Sequence, residues 1–327
     1  MGAGLKISAL VAACAAASTV LFGDAAWAQQ FPTKTITMVV GYTPGGQADA
    51  LARAVGNRLS EALKVPVVVE NKPGANGQIA AQAVANARPD GHTILLVTDA
   101  MVTIDPQLPG SAKWDPSATL QPVVNLATAP LFLAARKDLP ADSLAALVEY
   151  GKKNPNSLTF GTSGNATPHR LAGEMLQQLG GFQMQHVPYK GTTASLTDLL
   201  GGQITLVIGS STALEPQAKA GKIKFLGVTS EKRFPLLPDV PPISETYPGF
   251  NIDIYFGLMA PKGTPEPVIK TLNTEVNKVL ASPEAQEGLA KLGVVPAGGT
   301  PSEFKAKIEA DLQSRGKLIR ELDIRAD

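Results

Sequence analysis

From Thr35 onward, short apolar runs alternate with stretches whose apolar residues recur at three- and four-residue steps. "TITMVVGY" has the continuous apolar character of a strand buried on both faces. In the segment after it, Ala48, Leu51, Ala52, Val55, Leu59 and Leu63 fall on one face of a helix. "VPVVVEN" predicts the next strand, and "PGANG" opens a second helix through "QIAAQAVANA". "RPDG" then turns the chain into the strand "HTILLVT". A β-α-β-α-β order predicts a mostly parallel sheet covered by helices on both faces.

A second alternating series starts near residue 122 and runs from "PVVNLATAPLFLAAR" to "KIKFLGVT". A proline-rich segment, "RFPLLPDVPPISETYPGF", leads into "NIDIYFGLMAPKGTP", and the chain ends in helical patterns. Two α/β units joined by more than one crossing predict a hinged clamshell. Its first unit comprises residues 29–127 with 253–327 and its second 128–252. The ligand cleft is expected between them, beyond the carboxyl ends of the strands.

The first residues are set apart by composition. One cation, Lys6, precedes the apolar run "ISALVAACAAASTVLF", and "AWA" ends it, which predicts a secretory signal peptide cut after Ala28. A membrane span needs roughly 18–20 strongly apolar residues, more than this run supplies. A weaker alternative is lipidation at Cys14 in "VAAC". Cleavage removes Lys6 and Asp24 together, so the formal net charge of +1 is unchanged, and it removes the only cysteine of the 327-residue chain. An exported protein without disulfides must be held by its core, which suits this length. Near-neutral, interspersed charge argues against nucleic-acid and membrane-surface partners.

Five helix entrances share one chemistry: "TPGGQAD", "KPGANG", "GTSGNATPH", "YKGTTAS" and "GSSTA", each after a strand. Each offers unpartnered backbone N–H groups at the positive end of a helix, with short hydroxyls beside them. Neither G-x-x-x-x-G-K-[ST] nor G-x-G-x-x-G is present, so nucleotide phosphate is not indicated. Any single turn is most simply a helix cap; five at strand ends predict a cleft for an anion, with carboxylates the natural ligands. Five or six charge-assisted hydrogen bonds of roughly 1.5–3 kcal/mol each, less a docking cost of about 4 kcal/mol or more, reach about −8 kcal/mol, or micromolar affinity. Asp49, in a first helical turn, has a local role open to it: bonding free N–H groups and pairing with Arg53.

Catalysis finds little support. The three histidines, His92, His169 and His186, match no metal signature, and no metal or cofactor is expected. "GTSGN" departs from a nucleophile elbow at Asn165, so Ser163 with His169 makes only a remote case for an exported hydrolase. His92 and His186 lie in apolar strand patterns and are expected to be structural.

"GGQAD", "VVVENKPGANG", "RPDGHTILL", "GTSGNATPH", "HVPYKGT", "LLGGQI", "LPDVPPISE" and "GLMAPKGTP", in this order, resemble the Bug family, the TctC-like receptors of tripartite tricarboxylate transporters. The resemblance covers essentially the whole chain after Ala28. It implies an α/β, type II periplasmic-binding-protein-like clamshell with mainly parallel central sheets, capturing a di-, tri- or aromatic carboxylate. A monomer would pass that solute to one small and one large membrane subunit. A sensor feeding a membrane kinase is the alternative within the fold. On this chain the resemblance implies a first-lobe turn with Tyr42, Gly45, Gly46, Ala48 and Asp49 at the ligand. Facing it would stand Thr162, Ser163, Asn165, Thr167 and His169, closed by Tyr189, Lys190, Gly191 and Thr192, with Ser210 at a further entrance.

The chain departs from the family pattern at four places. Gly41-Tyr42 stands for Pro-Phe, His92 for Tyr, Thr205 for Asp, and Tyr255 for Trp. Tyr42 is expected to add a hydroxyl to the cleft and Thr205 to remove a negative charge from near it, shifting ligand choice towards a larger or aromatic acid.

Overall fold

A computed structural model describes residues 31–109 and 114–325. The expected signal peptide, its cut after Ala28 and Cys14 lie outside the described residues. Among the described residues, no helix is long and apolar enough to cross a membrane.

Two sheets organise the chain. The first has six strands in the order β11-β4-β10-β3-β1-β2 and the second five, β7-β6-β8-β5-β9. Strands β1 (Ile36–Val40), β2 (Val67–Asn71) and β3 (Thr93–Thr98) run parallel, linked by helices α1 (Gln47–Leu63) and α2 (Gln78–Ala85). In the second lobe β6 (Thr159–Thr162), β7 (Gln185–Pro188) and β8 (Leu206–Gly209) are also parallel. Helix α3 (Leu144–Lys153) leads into β6; α4 (Pro168–Gly180) and α5 (Thr192–Leu200) link the parallel strands, and α6 (Ser211–Lys219) follows them.

The sheets are mixed rather than mainly parallel. β10 (Asp253–Pro261) pairs antiparallel with β3 and with β4 (Leu120–Pro130), and β11 (Val295–Gly298) with β4. β5 (Phe132–Arg136) likewise runs antiparallel to β8 and to β9 (Ile223–Val228). The cause is the route of the chain. β5 and β10 enter their sheets from the other lobe, at the end where the helix-linked strands finish, so they must run back against them.

Alternation along each strand explains the double-sided burial. Ile36, Met38 and Val40 of β1 join the core under α1 and α7 (Glu266–Ala281), while Val39 joins the opposite core with Ala80 of α2 and Phe304 of α9 (Pro301–Glu321). Leu206 and Ile208 of β8 likewise face one core, and Val207 the other. Apolar residues on both faces at a period of two are what a sheet covered on both sides requires. Helix α8 (Pro283–Lys291) completes the first lobe.

The crossings sit side by side. One residue, Leu131, separates β4 from β5. The return passes through residues 229–252, where buried Thr229 accepts from the Leu131 amide at 2.8 Å and donates to the Ile252 carbonyl at 2.7 Å. Backbone bonds from Thr229 N to Leu131 O (2.9 Å) and from Ile252 N to Thr229 O (3.1 Å) complete the joint.

Candidate functional site

The first-lobe turn is shaped by close backbone approach. A Cβ on Gly41 would lie 2.5 Å from the Gly77 Cα, so only glycine fits where β1 passes the turn before α2. Gly45 then takes φ +85°, a left-handed conformation glycine adopts without strain. Helix α1 starts after Gly46 with no side chain capping its first N–H groups. Asp49 lies buried beneath this turn and is fully engaged: Oδ2 accepts from Gly45 N (3.0 Å) and Arg53 Nε (3.1 Å), Oδ1 from Asn71 Nδ2 (2.9 Å). The bond from Arg53 above all brings its carboxyl down to about 2. The local role open to Asp49 is the one it plays.

In the second lobe, the turn after β6 is a small hydrogen-bonded unit. Thr162 Oγ1 donates to Gly164 O at 3.0 Å and lies 2.7 Å from His186 Nε2. Thr167 caps α4, accepting from Arg170 N at 3.5 Å and donating to Gly164 O at 2.8 Å. Ser163 Oγ is bonded to His169 Nδ1 at 2.9 Å. Burial pushes the His169 imidazole down to about 4, so it is neutral at ordinary pH. Helices α5 and α6 start after Gly191 (φ +108°) and Ser210, again without a side-chain cap.

These turns meet at one cavity of about 740 Å³ between the lobes. Ten residues expected at the ligand line it: Tyr42, Gly45, Gly46, Ala48, Ser163, Thr167, His169, Gly191, Thr192 and Ser210. Asp49, Thr162, Asn165 and Tyr189 do not, nor does Lys190. Asp49 and Thr162 are spent holding their own turns, as described. Tyr189 is turned away, its hydroxyl donating to Asp198 Oδ2 at 2.6 Å. The "KPGANG" entrance does not reach the cavity either; it packs beside Gly41 and Met101. Thr205 stands at the opposite end of β8, bonded to Thr159, and so cannot alter charge at the cleft. His92 accepts from Thr33 N at 3.2 Å against the ring of Phe31, far from the cavity lining, in the structural role expected of it.

The cavity also recruits residues the sequence patterns did not single out. Thr98, at the end of β3, shares a 2.7 Å hydrogen bond with the Tyr42 hydroxyl. Ile254 and Phe256 come from the returning strand β10, and Gln47 from the first turn of α1. The signal available for Thr98 was a hydroxyl at a strand end; for Ile254 and Phe256 it was the crossing itself, which must pass the cleft. Among the described residues lining the cavity none is lysine or arginine, and the one acid, buried Asp99, is paired with Arg315 of α9.

Known proteins place this architecture. The profile of the tripartite tricarboxylate transporter family receptor, TctC, matches residues 51–324. A UPF0065 protein from the tcbD-tcbE intergenic region of Pseudomonas sp. strain P51 is 36% identical over 302 residues, covering 91% of this chain and 89% of that protein. Protein BugT of Bordetella pertussis is 32% identical over 296 residues, covering 90% and 91%. Among solved structures, the periplasmic binding protein BugD superposes with a TM-score of 0.75 at 34% identity, over 91% of this chain and all of that one (100%). An R. palustris protein determined with adipate gives a TM-score of 0.79 at 34% identity, covering 90% and 99%. MatC of Rhodopseudomonas palustris, with bound malate, gives 0.73 at 29% identity, covering 88% and 100%. These relatives are solute-binding receptors rather than enzymes, which removes the hydrolase reading of Ser163 and His169. With a clamshell fold and a matching profile over most of its length, the chain belongs to the TctC, or Bug, family of periplasmic solute-binding receptors.

Proposed function

We propose that this protein captures a small carboxylate in the inter-lobe cavity and delivers it to the small and large membrane subunits of a tripartite tricarboxylate transporter. One observation carries the reading: three helix starts without side-chain caps, at Gly46, Gly191 and Ser210, open on a cavity lined by no lysine or arginine among the described residues. Unpartnered N–H groups at helix starts are anion donors, and the hydroxyls of Ser163 and Thr192 stand beside them. Adipate and malate in related structures support a dicarboxylate; Tyr42, Ile254 and Phe256 leave room for an apolar or aromatic body. The units that close on the solute are residues 29–127 with 253–327 and residues 128–252, with β4 carrying the first unit on to Pro130 before the crossing at Leu131. Export to the periplasm follows from cleavage after Ala28.

Thermal unfolding against mono-, di-, tri- and aromatic carboxylates tests the reading. An acid at a hundred times its Kd adds about 2.7 kcal/mol, a shift of several degrees for a chain of this size. Absence of a shift with every acid, together with no bound acid in native mass spectrometry, would overturn the carboxylate assignment.

A further inference from the structure

The lobes touch away from the hinge, at Ile104, Leu108 and Ile319 against Leu171 of α4 and again near the start of α6. The turn between α8 and β11, Leu292–Gly293, belongs to the first lobe and reaches the first residues of α6 in the second. Gly293 is buried there at φ +70°; a Cβ on it would lie 2.6 Å from Ser211 Oγ and 2.8 Å from Thr212 Cγ2. A side chain at 293 would press on the Ser211 and Thr212 side chains, and the positive φ favours glycine as well. Val295, just beyond the turn, packs on the second lobe's core. The turn does not hold its position alone. Gln47 sends Nε2 to the Leu292 carbonyl at 2.8 Å across 245 residues of sequence.

Two of the residues in this contact, Gln47 and Thr212, also line the cavity. A solute seated on the N–H groups of α1 therefore lies beside the amide that holds the turn, and one seated on α6 lies beside the surface the turn rests on. We propose that Leu292–Gly293 is a latch that seats on Ser211 and Thr212 when the lobes close, with Gln47 as the positioning residue that aims it. Occupancy of the cavity and closure of the latch are coupled because the same helix starts serve both. Opening the lobes about Leu131 and Thr229 must break this contact.

Paired cysteines test the latch directly. In a Cys14→Ser background, Ser211→Cys with Gly293→Cys places two thiols at the contact in an otherwise cysteine-free chain. Under mild oxidation without added solute, a 211–293 disulfide is expected, and adding Gln47→Ala is expected to slow its formation at least fivefold. Malate or adipate is expected to speed it; this arm alone rests on the carboxylate reading above. A disulfide that forms, depends on Gln47 and ignores both acids keeps the latch and counts against those carboxylates as its solutes. No disulfide under any condition, or one indifferent to Gln47→Ala, overturns the latch.

A cysteine at φ +70° is strained, so hydrogen exchange on the native sequence provides a second readout. Gln47→Ala is expected to accelerate exchange at residues 291–294 and 211–213 together. Acceleration confined to 291–294 would show a turn that Gln47 merely supports, and would also overturn the latch.

Discussion

The Thr229 hydroxyl donates to the Ile252 carbonyl at 2.7 Å while accepting from the Leu131 amide at 2.8 Å. One side chain thus satisfies a donor on the outgoing crossing and an acceptor on the returning one, in a fully buried place. Thr229→Val keeps the shape and strands both groups, at about 1–3 kcal/mol for each one left unpaired. The thermal midpoint is expected to fall by several degrees, with Thr229→Ser recovering most of the loss. An unchanged midpoint in Thr229→Val would show that water or backbone movement replaces the hydroxyl.

Arg315 makes a comparable tie from the C-terminal helix. Its Nη1 pairs with Asp99 and lies 3.2 Å from Thr103 Oγ1, while Nη2 donates to the Asp253 carbonyl at 2.8 Å, where β10 begins. Removing one partner of a buried ion pair costs about 3–5 kcal/mol, because the other charge is left without compensation. Urea unfolding of Arg315→Met is expected to show a loss of that order. Adding Asp99→Asn to it should return a large part. Equal losses in the single and double variants would mean that the Asp253 carbonyl, not Asp99, is the important partner.

Ser163 and Thr162 are neighbours with opposite expectations. Ser163 lines the cavity, so Ser163→Ala should weaken binding of the best carboxylate in the panel about tenfold, or 1.4 kcal/mol. Thr162 is buried and engaged with Gly164 and His186, so Thr162→Val should lower the unfolding midpoint more than the loss of affinity explains. Calorimetric titration of both variants checks this. A tenfold loss in Thr162→Val at unchanged stability would return Thr162 to the ligand.

His169 gives a pH prediction. Burial lowers its folded value to about 4, against an unfolded value near 6.5. Between those limits the unfolded chain binds the extra proton, so this residue makes stability fall as pH drops from about 6.5 towards 4. His169→Gln should flatten that part of the urea-midpoint profile, most visibly near pH 5. An identical slope in the variant would place the acid sensitivity elsewhere.

The alternation of elements was legible because each uses its own hydrophobic period: Leu51, Val55 and Leu59 step as a helix, while Ile36, Met38 and Val39 put apolar residues on both faces of a strand. Strand direction was less so. Nothing in the apolar run of β10 distinguishes a strand entering from the cleft end, and direction is a property of the chain's route. Glycine turns marked most of the cavity wall because unusual dihedrals demand glycine locally. The inward or outward aim of a hydroxyl depends on distant partners, so Thr162 and Tyr189 read like Ser163 although His186 and Asp198 hold them away. Thr205 misled for the same reason, since an end of a strand cannot be assigned to a cleft without the sheet.

A cavity walled by backbone dipoles and hydroxyls has a short reach. Among the described residues lining it, the one acid is neutralised within the protein and the imidazole is uncharged, and the chain carries a formal net charge of only +1. Dipole fields fade faster with distance than those of charges, so an anion a Debye length away, about 8 Å in physiological salt, feels almost no pull. Capture of an anion is then expected to change little between dilute water and brine. Such a protein suits a compartment whose ionic strength follows the world outside.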